Sequence, residues 1–313
     1  MRLLAVDDDA SILELLKHIL SAFGYDDVTT ARSGPDALAI IAQAERPFDC
    51  LLLDVQMPEM NGITLCEEIR TLPDYQFTPI IMLTAMVQKH YIDEAFEVGA
   101  SDYVTKPFDF EDLKQRLSDA HRMAAERRAS IEAVTGMDET ACLATDFPSL
   151  VSNGPVPAKG MAGFFGLPEF ENYAFQISTT HPLTSSVVAV KAENLDKTLG
   201  AGDLDGARQF VSSVGTALLD SSQAMCRFVS YWGNGVFVLT REAGKALDAN
   251  ALADELKQRS AAARGASNGA VRAVGFRVGE EVALNAGTKL EAIYLIEKTV
   301  ESVEEPAAEP LAV

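Results

Sequence analysis

Residues 50–62 read CLLLDVQMPEMNG. The stretch opens with a cysteine and three leucines, reaches Asp54, and then meets Pro58, Asn61 and Gly62. A short apolar run that is followed by turn-forming residues is typical of a buried strand. The stretch therefore predicts a strand that ends at Asp54.

Strand-like runs of the same kind recur on both sides of this stretch, and amphipathic helical stretches separate them. The runs are Leu3 to Asp7, Val28 to Ala31, Cys50 to Asp54, Ile80 to Thr84 and Tyr103 to Thr105. Strands that alternate with helices in this way build a parallel sheet with helices on both faces. We expect an α/β fold here, a doubly wound, five-stranded parallel sheet of the flavodoxin-like type.

Polar side chains follow the predicted strands where the strands end. Asp7 and Asp8 end the first strand, Asp54 the third and Thr84 the fourth, and Lys106 follows the fifth. The carboxyl ends of parallel strands open onto one crevice. Three carboxylates brought together there repel one another unless a cation lies between them, and Mg²⁺ prefers such oxygen ligands. A single Asp at a strand end is usually a cap or turn residue, so the prediction rests on the whole set.

Four motifs connect these residues to a known family. They are Val6-Asp7-Asp8-Asp9, the run from Asp54 to Gly62, Leu83-Thr84-Ala85, and Thr105-Lys106-Pro107-Phe108. In this order and strand context they closely resemble the signatures of response-regulator receivers. The resemblance implies that a sensor histidine kinase or phosphotransfer protein phosphorylates Asp54, and that Asp7, Asp8, Asp54 and the backbone carbonyl of Gln56 hold Mg²⁺.

The resemblance also implies a switch. Lys106 would place its positive charge on the phosphoryl group, and the Thr84 hydroxyl would donate to a phosphoryl oxygen. Tyr103 would turn inward once Thr84 moves, with plain packing as the alternative role for this residue. The output surface would be the face of the fourth helix, fifth strand and fifth helix, and a cis peptide bond would join Lys106 and Pro107.

The chain has 313 residues, which suits two domains of ordinary size. Residues 113–133 contain no Pro or Gly and are rich in helix formers, so the last helix of the first domain should continue as a connector. Gly and Pro residues then interrupt the chain as far as Gly166. We assign residues 1–122 to a receiver domain, 123–166 to a helical connector and irregular linker, 167–301 to a second domain, and 302–313 to a disordered acidic tail.

The second domain has its own order of predicted elements. They are a strand at 187–193, a helix at 204–219, strands at 226–232 and 236–240, a helix at 252–263, a strand at 271–278 and a helix at 290–300. Gly233, Asn234 and Gly235 predict a tight hairpin between two strands. The order βαββαβ predicts an α+β, ferredoxin-like domain with its helices on one face of the sheet.

This order resembles the GGDEF domain of diguanylate cyclases, but the chemistry of that family is missing. Lys191 stands at the place of the first metal-binding Asp, and Gly235 stands where an acidic hairpin residue is required. Two metal ions on a carboxylate-rich site are needed to transfer a nucleotidyl group. The other departures are Leu199 and Gly200 in the guanine-reading pair, and Gln223 and Cys226 in the product-binding inhibitory site.

We therefore expect a catalytically inactive, degenerate GGDEF-like output domain that contacts an unidentified downstream protein, with the connector or a homodimer contact transmitting the signal. One alternative is an output domain that still makes or degrades cyclic di-GMP. Another is a βαββαβ domain with no ancestry in cyclases, because a shared fold does not decide function.

The charge and composition of the chain argue against nucleic-acid binding and membrane insertion. Twenty-six basic against 46 acidic residues give a net charge of −20, which repels nucleic acid and anionic membranes and argues against a transcription regulator. The basic residues from Arg122 to Arg128 fit a solvated helix face better than a nucleic-acid site.

No apolar run approaches the roughly 20 residues of a membrane span, and no signal peptide fits before the first strand, so we expect a cytoplasmic protein. The four cysteines lack metal or redox spacing, which predicts free thiols.

Overall fold

The computed structural model describes residues 1–136, 163–193, 204–244, 246–264 and 274–304. The chain divides into two compact units, Met1–Met137 and Asp138–Val313. Within the described ranges, no helix is both long enough and apolar enough to cross a membrane.

The first unit alternates five strands with five helices. The strands are β1 (Leu3–Val6), β2 (Val28–Ala31), β3 (Cys50–Asp54), β4 (Ile80–Thr84) and β5 (Asp102–Thr105), and the helices are α1 (Ala10–Ala22), α2 (Gly34–Gln43), α3 (Gly62–Thr71), α4 (Lys89–Glu97) and α5 (Phe110–Gly136). The strands lie in the order β2-β1-β3-β4-β5, and every neighbouring pair is parallel. The predicted doubly wound parallel sheet is confirmed.

Local sequence explains where the helices around the crevice begin. Asp9 caps α1 by accepting a hydrogen bond from the backbone N–H of Ser11, and Asn61 caps α3 by accepting one from Thr64. Both caps immediately follow loops at the carboxyl ends of strands, so they fix where the loops end. The central strands β3 and β4 are buried along their whole length, as expected for a sheet covered on both faces.

Helix α5 continues without interruption through Gly136. Leu113, Leu117 and Ala120 belong to the core on one face of the sheet, and Met123 and Ala124 are also buried. The boundary expected at residue 122 therefore falls inside a helix that is still partly buried beyond it.

The second unit is a mixed sheet with helices. Its strands are β6 (Phe164–Phe165), β7 (Ser185–Glu193), β8 (Cys226–Gly233), β9 (Val236–Glu242), β10 (Gly275–Val278) and β11 (Val282–Ala283), and its helices are α6 (Leu167–Thr180), α7 (Leu204–Leu219), α8 (Ala249–Arg264) and α9 (Lys289–Glu304). The strand order is β10-β7-β9-β8-β6, and β11 pairs with β7 beside β10. The described pairs are antiparallel except β6 with β8, which is parallel.

Helices cover both faces of this second sheet, so the expectation of helices on one face was wrong. Val188 and Val190 of β7 pack in a cluster with residues of α7 and α8. Val187 and Ala189 alternate with them, point to the opposite face and are also fully buried. On that opposite face the ring of Tyr173 in α6 meets the ring of Phe228 with centroids 4.4 Å apart.

Strand β6 and helix α6 were not predicted from sequence. Phe164 and Phe165 lie in the segment expected to be an irregular linker, yet Phe165 stacks on Phe228 with ring centroids 4.5 Å apart. In α6 the buried residues Phe170, Tyr173 and Ile177 recur at helical spacing. The density of Gly and Pro just before them concealed this pattern.

The carboxyl end of the second unit also differs from expectation. Helix α9 continues to Glu304, three residues into the segment assigned to a disordered tail, because Val303 is fully buried. Residues 305–313 and the first part of the strand expected at 271–278 lie outside the described residues. Cys50, Cys66 and Cys226 are free thiols, while Cys142 lies outside the described ranges.

Candidate functional site

The structure brings the predicted carboxylates together at the carboxyl ends of β1 and β3. These strands are neighbours in the sheet, so the residues that follow them share one crevice. Carboxylate oxygens of Asp7, Asp8 and Asp54 all lie within 4.8 Å of one another. Asp7 and Asp54 are only 1% and 4% exposed, which leaves little water to screen their mutual repulsion.

Lys106 joins two of the three carboxylates. Its Nζ lies 2.6 Å from Oδ2 of Asp7 and 2.8 Å from Oδ1 of Asp54. The backbone N–H of Lys106 donates to the carbonyl of Thr84 at 2.7 Å, which places the lysine at the end of β5 beside β4. One ammonium group therefore offsets part of the negative charge of the cluster.

The electrostatics of Asp54 and Lys106 depend on each other. Burial raises the pKa of Asp54, the charges of Asp7 and Asp8 raise it too, and the hydrogen bond and charge of Lys106 only partly oppose them. Burial alone would lower the pKa of Lys106, but hydrogen bonds and charge from Asp54 and Asp7 outweigh it, so the pKa is raised. The lysine therefore stays protonated. Its single positive charge offsets only part of the negative charge of the surrounding carboxylates.

The loop after Asp54 folds back over the end of β3. The N–H of Gly62 donates to the carbonyl of Val55 at 3.0 Å, and a Cβ at Gly62 would lie 2.1 Å from the carbonyl oxygen of Asp54. Only glycine leaves room for this approach, so Gly62 allows the start of α3 to pack directly against the backbone of Asp54. Gln56 lies in the same loop with its side chain exposed.

Thr84 and Tyr103 converge on Met86, in the loop between β4 and α4. Oγ1 of Thr84 accepts a hydrogen bond from the N–H of Met86 at 2.9 Å, and the hydroxyl of Tyr103 donates to the carbonyl oxygen of Met86. Both side chains are fully buried, and burial raises the pKa of Tyr103 to about 12. The ring of Tyr103 therefore points inward in this structure. Lys106 and Pro107 are joined by a cis peptide bond.

Sequence reasoning missed two contributors to the crevice. Gly62 was recognised in the sequence only as the last residue of the motif that begins at Asp54. Its contact with the backbone of Asp54 depends on the path of the loop between β3 and α3. Arg32 donates from Nη2 to the carbonyl oxygen of Asp8 at 3.3 Å, although it follows β2 and is 24 residues away in sequence. No local signal marks such an arginine, because its approach depends on the order of the strands.

Comparison with known proteins shows the family. The family model described as "Response regulator receiver domain" matches residues 3–118. The chemotaxis protein CheY homolog of Campylobacter jejuni is 36% identical over 119 residues, which are 38% of this chain and 91% of the relative. This chain belongs to the response regulator receiver family.

Two other relatives show how far the likeness reaches. Response regulator MprA of Mycobacterium leprae is 41% identical over 117 residues, which are 37% of this chain and 49% of that protein. The solved structure of Vibrio cholerae chemotaxis protein CheY4 is 39% identical, covers 38% of this chain and 97% of its own, and has a TM-score of 0.36. The matched residues of the family model lie within the first unit of the response regulator.

In the second unit of this response regulator, the predicted hairpin is present at Gly233, Asn234 and Gly235, whose φ angles are 120°, 50° and 75°. Two side chains of this region contact the end of α9. Nδ2 of Asn234 donates to Oε1 of Glu304 at 3.4 Å, and Nζ of Lys191 lies 3.9 Å from the same oxygen.

The remaining departures from the GGDEF pattern are at Cys226, Gln223, Leu199 and Gly200. The thiol of Cys226 donates to the carbonyl of Leu218 at 3.1 Å, and burial raises its pKa to about 12, so it is a poor nucleophile. Gln223 is exposed in the turn before β8. Leu199 and Gly200 lie outside the described residues.

Proposed function

We propose that this response regulator accepts a phosphoryl group on Asp54 from a sensor histidine kinase or a phosphotransfer protein. The observation that carries the proposal is the position of Asp54, which ends β3 beside the carboxylates of Asp7 and Asp8 and in contact with the ammonium group of Lys106. A carboxylate held in this way can attack phosphorus directly. In that step a P–O bond to Asp54 forms, and the P–N bond to the donor histidine breaks.

The donor set of the crevice fits Mg²⁺. The three clustered carboxylates offer oxygen ligands only, and such hard ligands suit a cation that binds a few carboxylates and a phosphate oxygen. Asp7, Asp8, Asp54 and the backbone carbonyl of Gln56 would hold the ion. When bound, Mg²⁺ supplies charge stabilisation to the phosphoryl oxygens.

Other residues of the chain orient and neutralise the phosphoryl group. Nζ of Lys106 already donates to Oδ1 of Asp54, so a small shift lets it donate to a phosphoryl oxygen attached there. The hydroxyl of Thr84 is a second donor. When it turns toward the phosphoryl group, it gives up the hydrogen bond that it accepts from Met86.

This coupling makes Thr84 and Tyr103 the switch residues of the proposal. Tyr103 donates to the carbonyl oxygen of Met86, the residue whose N–H binds Thr84, so a change at Thr84 reaches the loop before α4 and the face formed by α4, β5 and α5. Phosphorylation then shifts an equilibrium between two arrangements of this face.

We further propose that the second unit is a degenerate GGDEF-like output domain that contacts a downstream protein, and that the α5 connector or a homodimer contact transmits the signal to it. The order β10-β7-β9-β8 with antiparallel neighbours supports a ferredoxin-like core to which β6 and β11 are additions. Lys191 and Gly235 support the loss of the cyclase metal site. The proposal keeps the expected cytoplasmic location and involves neither nucleic acid nor insertion into a membrane.

Labelling with acetyl phosphate and Mg²⁺ tests the first part of the proposal. We expect intact-mass measurement to find one added phosphoryl group on the wild type and none on Asp54→Asn. The matched control is Asp27→Asn, which removes an exposed carboxylate at the other end of the sheet and should be labelled like the wild type. Equal labelling of Asp54→Asn and wild type would reject Asp54 as the acceptor.

Incubation with GTP and Mg²⁺ or Mn²⁺ tests the second part. We expect the phosphorylated protein to release no cyclic di-GMP, because a cation stands at the metal-ligand position. Formation of cyclic di-GMP at a catalytic rate would favour the enzyme alternative over the protein-contact role.

A further inference from the structure

Arg32 lies at the rim of the acidic crevice, just past the carboxyl end of β2. Strand β2 is the neighbour of β1 in the sheet, and the N–H of Asp7 donates to the carbonyl of Ala31 at 3.2 Å. Arg32 therefore begins a loop that lies beside the loop following β1. Its Nη2 reaches the carbonyl oxygen of Asp8 at 3.3 Å. The fold thus places a cationic side chain next to the carboxylate cluster.

The start of α2 fixes the backbone of Arg32. The N–H of Arg32 donates to Oδ2 of Asp36 at 3.1 Å, and the N–H of Asp36 donates to Oγ of Ser33 at 3.2 Å. Ser33 is the N-cap of α2, so these two hydrogen bonds belong to the cap of that helix. They fix the point beside the crevice at which the arginine side chain begins.

The charge of Arg32 has no direct counter-ion among the residues that the structure describes. The group that it contacts at Asp8 is a neutral carbonyl, and Arg32 is exposed. Lys106, in contrast, contacts the carboxylates of Asp7 and Asp54 directly. Arg32 therefore acts on the crevice through its electric field, which extends over a Debye length of about 10 Å in 0.1 M salt.

The charge of the crevice in each state shows what this field favours. Three carboxylates and the ammonium group of Lys106 leave two negative charges uncompensated, and a bound Mg²⁺ would neutralise them. A phosphoryl group on Asp54 replaces one negative charge with two, so one negative charge is again left over. Arg32 supplies the positive charge that balances it. Before phosphorylation, the same positive charge opposes the binding of Mg²⁺.

We propose that Arg32 sets the electrostatic potential of the crevice, so that it weakens Mg²⁺ binding to the unphosphorylated protein and favours transfer of the phosphoryl group to Asp54. The inference rests on the proposed phosphorylation and Mg²⁺ site. A purely structural role for Arg32 predicts the opposite effect on the ion. If its hydrogen bond only held the loop of Asp8 in place, the loss of that bond would loosen a metal ligand and weaken Mg²⁺ binding.

A series of charges at position 32, measured in the full chain, tests the effect on the ion. NMR titration of the amides of residues 7–9 with Mg²⁺, without a phosphoryl donor, gives the dissociation constant. In about 0.1 M salt we expect this constant to fall about twofold to fivefold in Arg32→Gln, to fall further in Arg32→Glu, and to stay near wild type in Arg32→Lys. In about 1 M salt, where the Debye length is about 3 Å, the differences should nearly vanish.

The same variants test the effect on the phosphoryl group. At saturating Mg²⁺ and about 0.1 M salt, the rate of labelling by acetyl phosphate, which is an anion, should fall about twofold to fivefold in Arg32→Gln and be retained in Arg32→Lys. Arg46→Gln is the matched control, because it removes the same charge from an exposed arginine before the other end of β3. That strand is about 17 Å long, which exceeds the Debye length, so both measurements should match wild type.

The outcomes separate the role of Arg32 from the proposed function. A Mg²⁺ dissociation constant that stays the same or rises in Arg32→Gln and Arg32→Glu would overturn the electrostatic role, and so would an equal fall in Arg46→Gln. Labelling of the wild type with Mg²⁺ binding that ignores the charge at position 32 overturns the role of Arg32 alone. If Mg²⁺ binding follows that charge but the wild type is never labelled, the proposed phosphorylation is overturned and only the effect on the ion stands.

Discussion

At the carboxyl end of β3, Asp54 carries its charge where burial and two other carboxylates disfavour it. Lys106 reduces that cost without removing it. Groups with such raised pKa values concentrate at functional sites, where reactivity is kept at the expense of stability. The sequence predicted this cluster because parallel strands must end at one edge. It did not predict Arg32 or the role of Gly62, because both depend on how separate loops approach each other.

The raised pKa of Asp54 predicts a pH-dependent gain in stability on substitution. Above the folded and unfolded pKa values, the ionised carboxylate destabilises the fold. As pH falls through the raised folded pKa, the folded protein takes up the proton first and the cost is relieved. Without added divalent cation, calorimetry should therefore find Asp54→Asn more stable than wild type at pH 7. A gain of about 1 kcal/mol would raise the unfolding midpoint by roughly 4 °C.

This gain should shrink as the solution is acidified toward pH 4, because wild-type Asp54 then becomes protonated. Asp27→Asn, which changes an exposed carboxylate, should show no comparable gain. A variant Asp54→Asn that is less stable than wild type at pH 7 would contradict the account of the cluster.

Lys106 provides a second prediction at the scale of one residue. Its hydrogen bond and charge lower the pKa of Asp54, so Lys106→Met should raise that pKa further. Titration of the carboxyl carbon of Asp54 by NMR, in the absence of divalent cations, measures the change directly. A pKa of Asp54 that stays the same or falls would show that Lys106 does not act on the carboxylate as the distances indicate.

At the scale of elements, the close approach of α3 to β3 is a specific constraint. Gly62→Ala would place a Cβ 2.1 Å from the carbonyl oxygen of Asp54, which forces the loop away from the strand. We expect a loss of about 1–3 kcal/mol in the free energy of unfolding, as for other overpacked sites, together with slower labelling of Asp54. Glu67→Ala, on the exposed side of α3, should change stability by less than about 0.5 kcal/mol. Wild-type stability and labelling in Gly62→Ala would contradict this constraint.

In the second unit, Arg241 of β9 holds elements together from a buried position. Its side chain is 1% exposed, its Nε donates to the carbonyl of Ala224 at 2.7 Å, and its Nη1 lies 2.7 Å from Glu281. Arg241→Met should cost about 2–3 kcal/mol in chemical unfolding because it strands these acceptors. Arg277→Met breaks a pair that is 39% and 38% exposed, so its loss should stay below about 1 kcal/mol. If both variants lost the same free energy of unfolding, the claim that burial makes the Arg241 contacts more important would be contradicted.

Elements of the second unit also show where sequence reasoning stops. The hairpin and the longer strands were predictable because Gly233 and Gly235 bracket Asn234 between apolar runs. Helix α6 had a clear apolar stripe, but it was not predicted, because the Gly and Pro residues upstream drew attention away from it. The two-residue strand β6 carries too little pattern to be recognised without the Phe228 ring on which Phe165 stacks.

At the scale of the whole molecule, the chain combines a receiver of known family with a second unit whose role is proposed. The fold and family of the receiver could be predicted, because four separate motifs and the ends of four strands agree. The second unit could be predicted only in outline, since Lys191 and Gly235 indicate what the domain has lost and not what it contacts. The contact of Lys191 and Asn234 with Glu304 became visible only in three dimensions.

The most direct test of the central claim is chemical mapping of the phosphorylated residue in the full chain. After labelling with acetyl phosphate and Mg²⁺, borohydride reduces an acyl phosphate to the alcohol, so a phosphorylated aspartate is recovered as homoserine in peptide mass spectrometry. We predict homoserine at position 54 and at no other aspartate. Recovery of homoserine at Asp7 or Asp8, with Asp54 unchanged, would contradict the account.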